Sequence, residues 1–182
     1  MSKRTEYLRI VLIIVAWIIF AGLCIEAGGL LTNIIITLLR TPTGTKKLWT
    51  EIDLSKLYYF NQSHYVTLTS LMVIAAILKA LMFYFIVMIF HDKKLNLSKP
   101  FNEVVRRFVL ITAYLALAIG LFSSWGAKFT QQLVSQGAEL PDIQQLRLAG
   151  SDVWLFMGVT LLIIAFIFKK GVEMQNENDL TV

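Results

Sequence analysis

Polar and apolar positions along the chain do not alternate with a short period; they separate into blocks. Four apolar blocks, at about residues 8–39, 65–90, 104–126 and 152–170, are divided by shorter polar stretches. About 20 apolar residues rising 1.5 Å each cross a ~30 Å hydrocarbon core. Each block therefore predicts a membrane-spanning helix. The fold class that follows is all-α: an integral membrane bundle of four transmembrane helices, a single domain over residues 1–182. The first block is too long for one perpendicular crossing, which predicts a tilt, a projection beyond the membrane or a break at Gly28-Gly29. Lys3, Arg4 and Arg9 ahead of Ile10 imitate a secretory leader, but the apolar run is too long and offers no clean cleavage site. The expectation is a retained first span.

The distribution of cations predicts the orientation. With the N-terminus inside, the inner pieces carry Lys3, Arg4, Arg9, Lys93, Lys94, Lys99, Arg106, Arg107, Lys169 and Lys170. The outer pieces carry Arg40, Lys46, Lys47, Lys56, Lys128 and Arg147. The inner cations are more numerous and lie closer to the span ends, so both termini are expected in the cytoplasm. The outer loops then run from about residue 40 to 64 and from 127 to 152. In the first, Leu54, Leu57, Tyr58, Tyr59 and Phe60 predict an interfacial belt or a short amphipathic helix on the membrane surface, with a ligand-binding cap as the alternative. In the second, the apolar teeth around Pro141 (Leu140, Ile143, Leu146, Leu148) predict an ordered helical loop. On the inner side, Ser98 as N-cap and Pro100 in the first turn predict that the third helix begins near Lys99, with Arg106 and Arg107 at headgroup level.

Composition agrees with the blocks. The chain is 57% hydrophobic, above the ~45–50% of soluble domains, and its mean hydropathy is +0.67. The net charge of +5 suits basic loops on anionic lipid. No basic helix and no soluble segment of interleaved aromatic and basic residues points to direct contact with nucleic acid. The single cysteine, Cys24, excludes an internal disulfide or a cysteine-based zinc cluster and reads as a packing residue, as do Gly22, Gly28 and Gly29.

Two charges interrupt the apolar blocks, Lys79 and Glu26. A cation deep in a bilayer costs roughly 2.5–3.5 kcal/mol, so a partner or a wet cavity is expected. Lys79 and Glu26 are read as a structural pair or as a polar intramembrane pocket, bridged by water or by a side chain such as Tyr84 or Ser123. No catalytic constellation accompanies them. His64 and His91 fall on opposite sides of the membrane, Ser123 and Ser124 have no histidine near them in the sequence, and no phosphate-binding or zinc-protease motif occurs. The expectation is a non-enzymatic protein without cofactor or metal.

The segment Ser98-Lys99-Pro100-Phe101-Asn102, followed by Arg106-Arg107, and the closing run from Phe168 to Asp179-Leu180-Thr181-Val182 resemble the inner-loop and C-terminal motifs of an uncharacterised bacterial membrane family, domain-of-unknown-function family 2975. Four spans, a basic inner loop and an acidic tail match its layout; the family's usual glycine before the Pro-Phe pair is Lys99 here. The resemblance implies no established activity. It implies a multi-pass protein of the bacterial inner membrane that controls or sequesters a small helix-turn-helix transcription regulator. The contact expected for such a partner is Pro100, Phe101, Arg106 and Arg107 together with Glu173, Glu177 and Asp179 of the tail. A transport or immunity-type protein using a cavity around Lys79 and Glu26, a subunit of a larger membrane complex, and a homo-oligomer all stay open.

Overall fold

The computed structural model describes residues 3–39, 52–91 and 102–180. They form α1 (Lys3–Leu39), α2 (Ser55–Phe60), α3 (Gln62–His91), α4 (Glu103–Ser135) and α5 (Ser151–Leu180), with no strand among them. Four of these helices are long and apolar enough to cross a membrane, as expected of a multi-pass membrane protein.

α1 packs on α3, α3 on α4 and α4 on α5, while α2 lies on α3. No α1–α5 packing of similar extent closes a ring among the described residues, so the expected bundle is a row of helices with α1 and α5 on its flanks. Neighbours in the row run antiparallel. Phe20 meets Tyr84 and Tyr65 stands beside Thr37, so ascending α1 is descending α3. Gly120 lies against Leu155 and Gly158 against Leu117, which sets α4 and α5 in the same opposed sense. One end of the row therefore holds the end of α1, α2, the start of α3 and the connection from α4 to α5. The other holds the first residues of α1 and the last of α5.

The helices do not share their ends. α1 has 37 residues, α3 has 30 and α4 has 33; at 1.5 Å per residue each is ~45 Å or longer, well beyond a ~30 Å core. The apolar stretch of α5, bounded by Asp152 and by Lys169-Lys170, about 25 Å apart along the axis, defines a reference slab for the other helices. The Gly120–Leu155 register brings Lys169 level with Arg106, and the Arg106 guanidinium feels the Glu173 carboxylate one turn further on. The same register puts Asp152 level with Ser123, beside the exposed Trp125. Aromatic and charged residues are thus gathered at the borders of a slab. At the loop end α1, α3 and α4 project beyond that slab.

The best-buried part of the protein is this projection. Ala27 and Leu30 of α1, Leu57 of α2, Tyr65, Leu68, Met72 and Ala76 of α3, Leu133 of α4 and the loop residues Leu146 and Leu148 form one apolar cluster. Leu57, Leu68, Leu146 and Leu148 are fully buried. Apolar burial is favourable only against water, so a dense core outside the slab and bare apolar flanks within it are the expected partition.

Several local expectations are corrected. α1 runs through Gly28-Gly29 without a break, and the Thr32 hydroxyl donates to the Gly28 carbonyl there (2.7 Å). Gly22 and Gly28 have nothing packed against them; the close approaches are at Gly120, Gly126 and Gly158. α4 begins at Glu103 rather than near Lys99, because Asn102 is extended and its side chain accepts from the Val105 N–H at 2.8 Å. The connection from 136 to 150 contains no helix. Gly137 and Gly150 take left-handed φ of 91° and 75°, and the turn between them is closed by the Leu146 N–H donating to the Asp142 carbonyl.

Candidate functional site

Two charged assemblies stand at the two borders of the slab. The first contains both charges singled out in the apolar blocks, and a third that the sequence did not single out. The Lys79 ammonium donates to the backbone carbonyl of Arg147 at 2.9 Å. The Arg147 Nε stands 3.6 Å from Glu26 Oε1. Arg147 thus joins α1 to α3: its carbonyl takes the lysine and its guanidinium faces the glutamate. Glu26 and Arg147 are the charges that act on Lys79, so the cluster holds two cations against one carboxylate.

Its depth follows from the register. Arg147 precedes Leu148, which fills the space over Gly126 of α4, and it stands just before the first turn of α5. Lys79 reaches it from α3 with a stem that extends toward that border. The ammonium is therefore level with the loop-end limit of the α5 apolar stretch, not with its middle.

Arg147 adopts a backbone conformation that an arginine side chain disfavours. It is the one non-glycine residue at a positive φ (58°) among the described residues. A side chain in that conformation costs on the order of 1 kcal/mol or more, whereas a glycine would sit there freely. The guanidinium is 67% exposed, and an exposed ion pair returns about 0–1 kcal/mol. The arginine therefore sits against its own backbone preference, in a turn that buries Leu146 and Leu148 on either side of it. In the sequence it was one basic outer-loop residue among several. Only the left-handed turn and the approach of α1 and α3 distinguish it.

The second assembly lies at the terminus end. Arg106 Nε donates to Glu103 Oε2 at 2.7 Å, one turn apart on α4. On α5, Lys170 Nζ donates to Glu173 Oε2 at 3.1 Å and Lys169 stands 3.9 Å from the same carboxylate group. Arg107 and Glu177 are exposed. Of the remaining residues expected to contact a partner, Pro100 and Phe101 lie outside the described residues, and so does the side chain of Asp179. The acidic tail is less negative at its root than its composition suggests, because Glu173 is already matched by two lysines.

A third pair binds the two loops to each other. Lys56 of α2 donates to Glu139 in the 136–150 connection. Glu139 holds the Lys56 ammonium above its ordinary pKa, and Lys56 holds the Glu139 carboxyl below the usual carboxylate range; both side chains are at the surface. His64 is engaged in a ring contact with Phe129 at 5.8 Å.

Comparison of the chain with family models, with curated proteins and with solved structures finds no match in any of the three.

Proposed function

We propose that this is a non-enzymatic regulator of the bacterial inner membrane that holds a small cytoplasmic helix-turn-helix transcription regulator on the end of α5. The observation that carries the reading is that α5 does not stop with its apolar stretch. It continues as helix from Lys170 to Leu180, an arm of about 15 Å beyond the slab. Glu173 and Glu177, four residues apart, share one side of the arm, and Met174 is exposed beside them. Glu173, matched within α5 by Lys169 and Lys170, can exchange those lysines for the cations of a basic DNA-binding protein, and Met174 adds an apolar contact. The proposed orientation puts both termini in the cytoplasm, in keeping with the excess of lysine and arginine near the ends of the spans at that border. The motif resemblance at 98–107 and 168–182 supports the same reading.

The test is an affinity pull-down from the native host, with the recovered protein identified and its DNA binding measured. The intact chain recovers a small basic DNA-binding protein, and both Glu173→Lys/Glu177→Lys and deletion of 176–182 lose it. Equal recovery by all three forms overturns the assignment of the arm.

A second reading, a membrane protein handling a small ligand at Lys79 and Glu26, is favoured by the gathering of Lys79, Glu26 and Arg147 at one border. It is separated from the first by Lys79→Met, which impairs ligand handling and leaves recovery of the cytoplasmic partner unchanged.

A further inference from the structure

We infer that Arg147 and Lys79 form a binding site for an anionic phosphate group, carried by a phospholipid headgroup at the loop-end border of the membrane. Four observations bear on it. The cluster has two cations and one carboxylate, so it attracts one more negative charge. Its cations are only partly used. One Lys79 N–H goes to the Arg147 carbonyl, and Arg147 turns its Nε to Glu26, leaving the two terminal nitrogens of an exposed guanidinium. That remaining fork matches two phosphate oxygens, and an ammonium beside it supplies a third donor. The left-handed turn at Arg147, between the buried Leu146 and Leu148, holds the guanidinium outside the core, where a ligand can reach it.

Location chooses the source of the phosphate. The cluster is level with the first turn of α5 and with the border occupied by Trp125, where headgroups lie. Below it α1 exposes Ile25 and Ile18, an apolar flank on which acyl chains can rest. A soluble anion would need none of this; a phospholipid uses both the cationic head site and the bare flank. Glu26 has a definite part in this arrangement. It competes with the phosphate for the guanidinium and keeps Arg147 aligned when no lipid is bound.

The full chain in nanodiscs tests the inference. In neutral phosphatidylcholine discs doped with phosphatidylglycerol, native mass spectrometry of the ejected protein reads retained lipid. The wild type keeps phosphatidylglycerol in preference to phosphatidylcholine, and Arg147→Gly retains about tenfold less. Glycine suits the left-handed turn, so this variant folds at least as well as the wild type. Glu26→Gln removes the competitor and raises retention, a change of opposite sign that stands even if the glycine variant fails to assemble. A parallel arm titrates inorganic phosphate into pure phosphatidylcholine discs and follows phosphorus NMR line width. Broadening that Arg147→Gly abolishes, without selective lipid retention, keeps the phosphate site and replaces its source. Equal lipid retention by wild type and both variants, with no phosphate broadening, overturns the inference.

Discussion

Gly158 of α5 and Leu117 of α4 are in such close contact that a methyl group on Gly158 would stand 2.7 Å from the leucine side chain and 2.9 Å from its backbone nitrogen. The relation is reciprocal one turn away, where a methyl on Gly120 would stand 2.7 Å from the Leu155 side chain and 3.0 Å from its backbone nitrogen. Two helices that each present a glycine to the other's backbone cross as closely as helices can, which is how spans associate where lipid offers no hydrophobic drive. A side chain could rotate away from an added methyl; a backbone cannot. Gly158→Ala and Gly120→Ala should therefore each cost about 1–3 kcal/mol. Gly22→Ala, which meets nothing, should change little. Steric-trap unfolding in bicelles reads the difference, and equal costs at Gly158 and Gly22 would sink the close-crossing account.

The same face of α4 contains an exception to good packing. Ser123 is fully buried and its hydroxyl has no hydrogen-bond partner. A buried polar group left unmade costs about 1–3 kcal/mol. Ser123→Ala removes that cost with almost no change in volume, so it should raise stability by roughly 1 kcal/mol. A loss of stability would mean that the hydroxyl is satisfied in the membrane by a group outside the described contacts.

What the sequence made legible was what its periodicity and block lengths carry. Four helices follow from apolar runs that no other structure can bury. The row arrangement does not, because α1 and α5 are apolar all round and their sequences cannot say which side meets a neighbour. The small residues Ala116, Gly120, Ser123 and Gly126 mark the crowded face of α4 at helical spacing, yet Gly22 and Gly28 make an equally plausible pattern and face open space. At the polar cluster the two intramembrane charges were visible as anomalies. Arg147 was not, since a loop arginine is ordinary until a backbone turn puts it between Lys79 and Glu26.

Leu146 is the sharpest test of the projecting core. It comes from the 136–150 connection and is fully buried among residues of the cluster built by α1, α2, α3 and α4. Leu146→Ala should destabilise the loop-end core by about 2–5 kcal/mol, while Val159→Ala on the exposed flank of α5 should have little effect. Hydrogen exchange then rises in α2 and the loop and not in the lower half of α5. Uniform exchange changes along all helices would show that the projection is not a separate region of stability.

The Lys56–Glu139 pair gives this core a pH window. The Glu139 carboxyl is held below its ordinary pKa, so its contribution is complete above the unfolded value of ~4.3. It is lost as pH falls through the lower folded value. The Lys56 ammonium is held above its ordinary pKa, so its contribution is complete below ~10.4 and lost as pH rises through the higher folded value. Between these limits the clasp is closed. Below pH ~4, exchange at 137–140, corrected for its intrinsic pH dependence, should accelerate in the wild type and not in Glu139→Gln, which lacks the titrating group. Matching profiles would remove the clasp from the account.

Lys79 and Arg147 differ in what they contribute, and a double-mutant cycle separates them. The Lys79 ammonium is bonded to the backbone of Arg147, so replacing the arginine side chain leaves that bond in place. Lys79→Met removes a charged donor from a carbonyl and should cost about 1.5–3 kcal/mol, seen as faster exchange in 143–150. Arg147→Gly relieves the φ of 58° and loses only the exposed contact to Glu26, so its net effect on stability should be small or favourable. The two cations also repel each other, so these two changes should depart from additivity by no more than that repulsion, about 1 kcal/mol for an exposed guanidinium. Glu26→Gln with Arg147→Gly should not add, since each removes the same ion pair. The reverse pattern, coupling between Lys79 and Arg147 beyond that repulsion and independence of Glu26, would mean that the lysine is held by the surrounding charges rather than by the loop carbonyl.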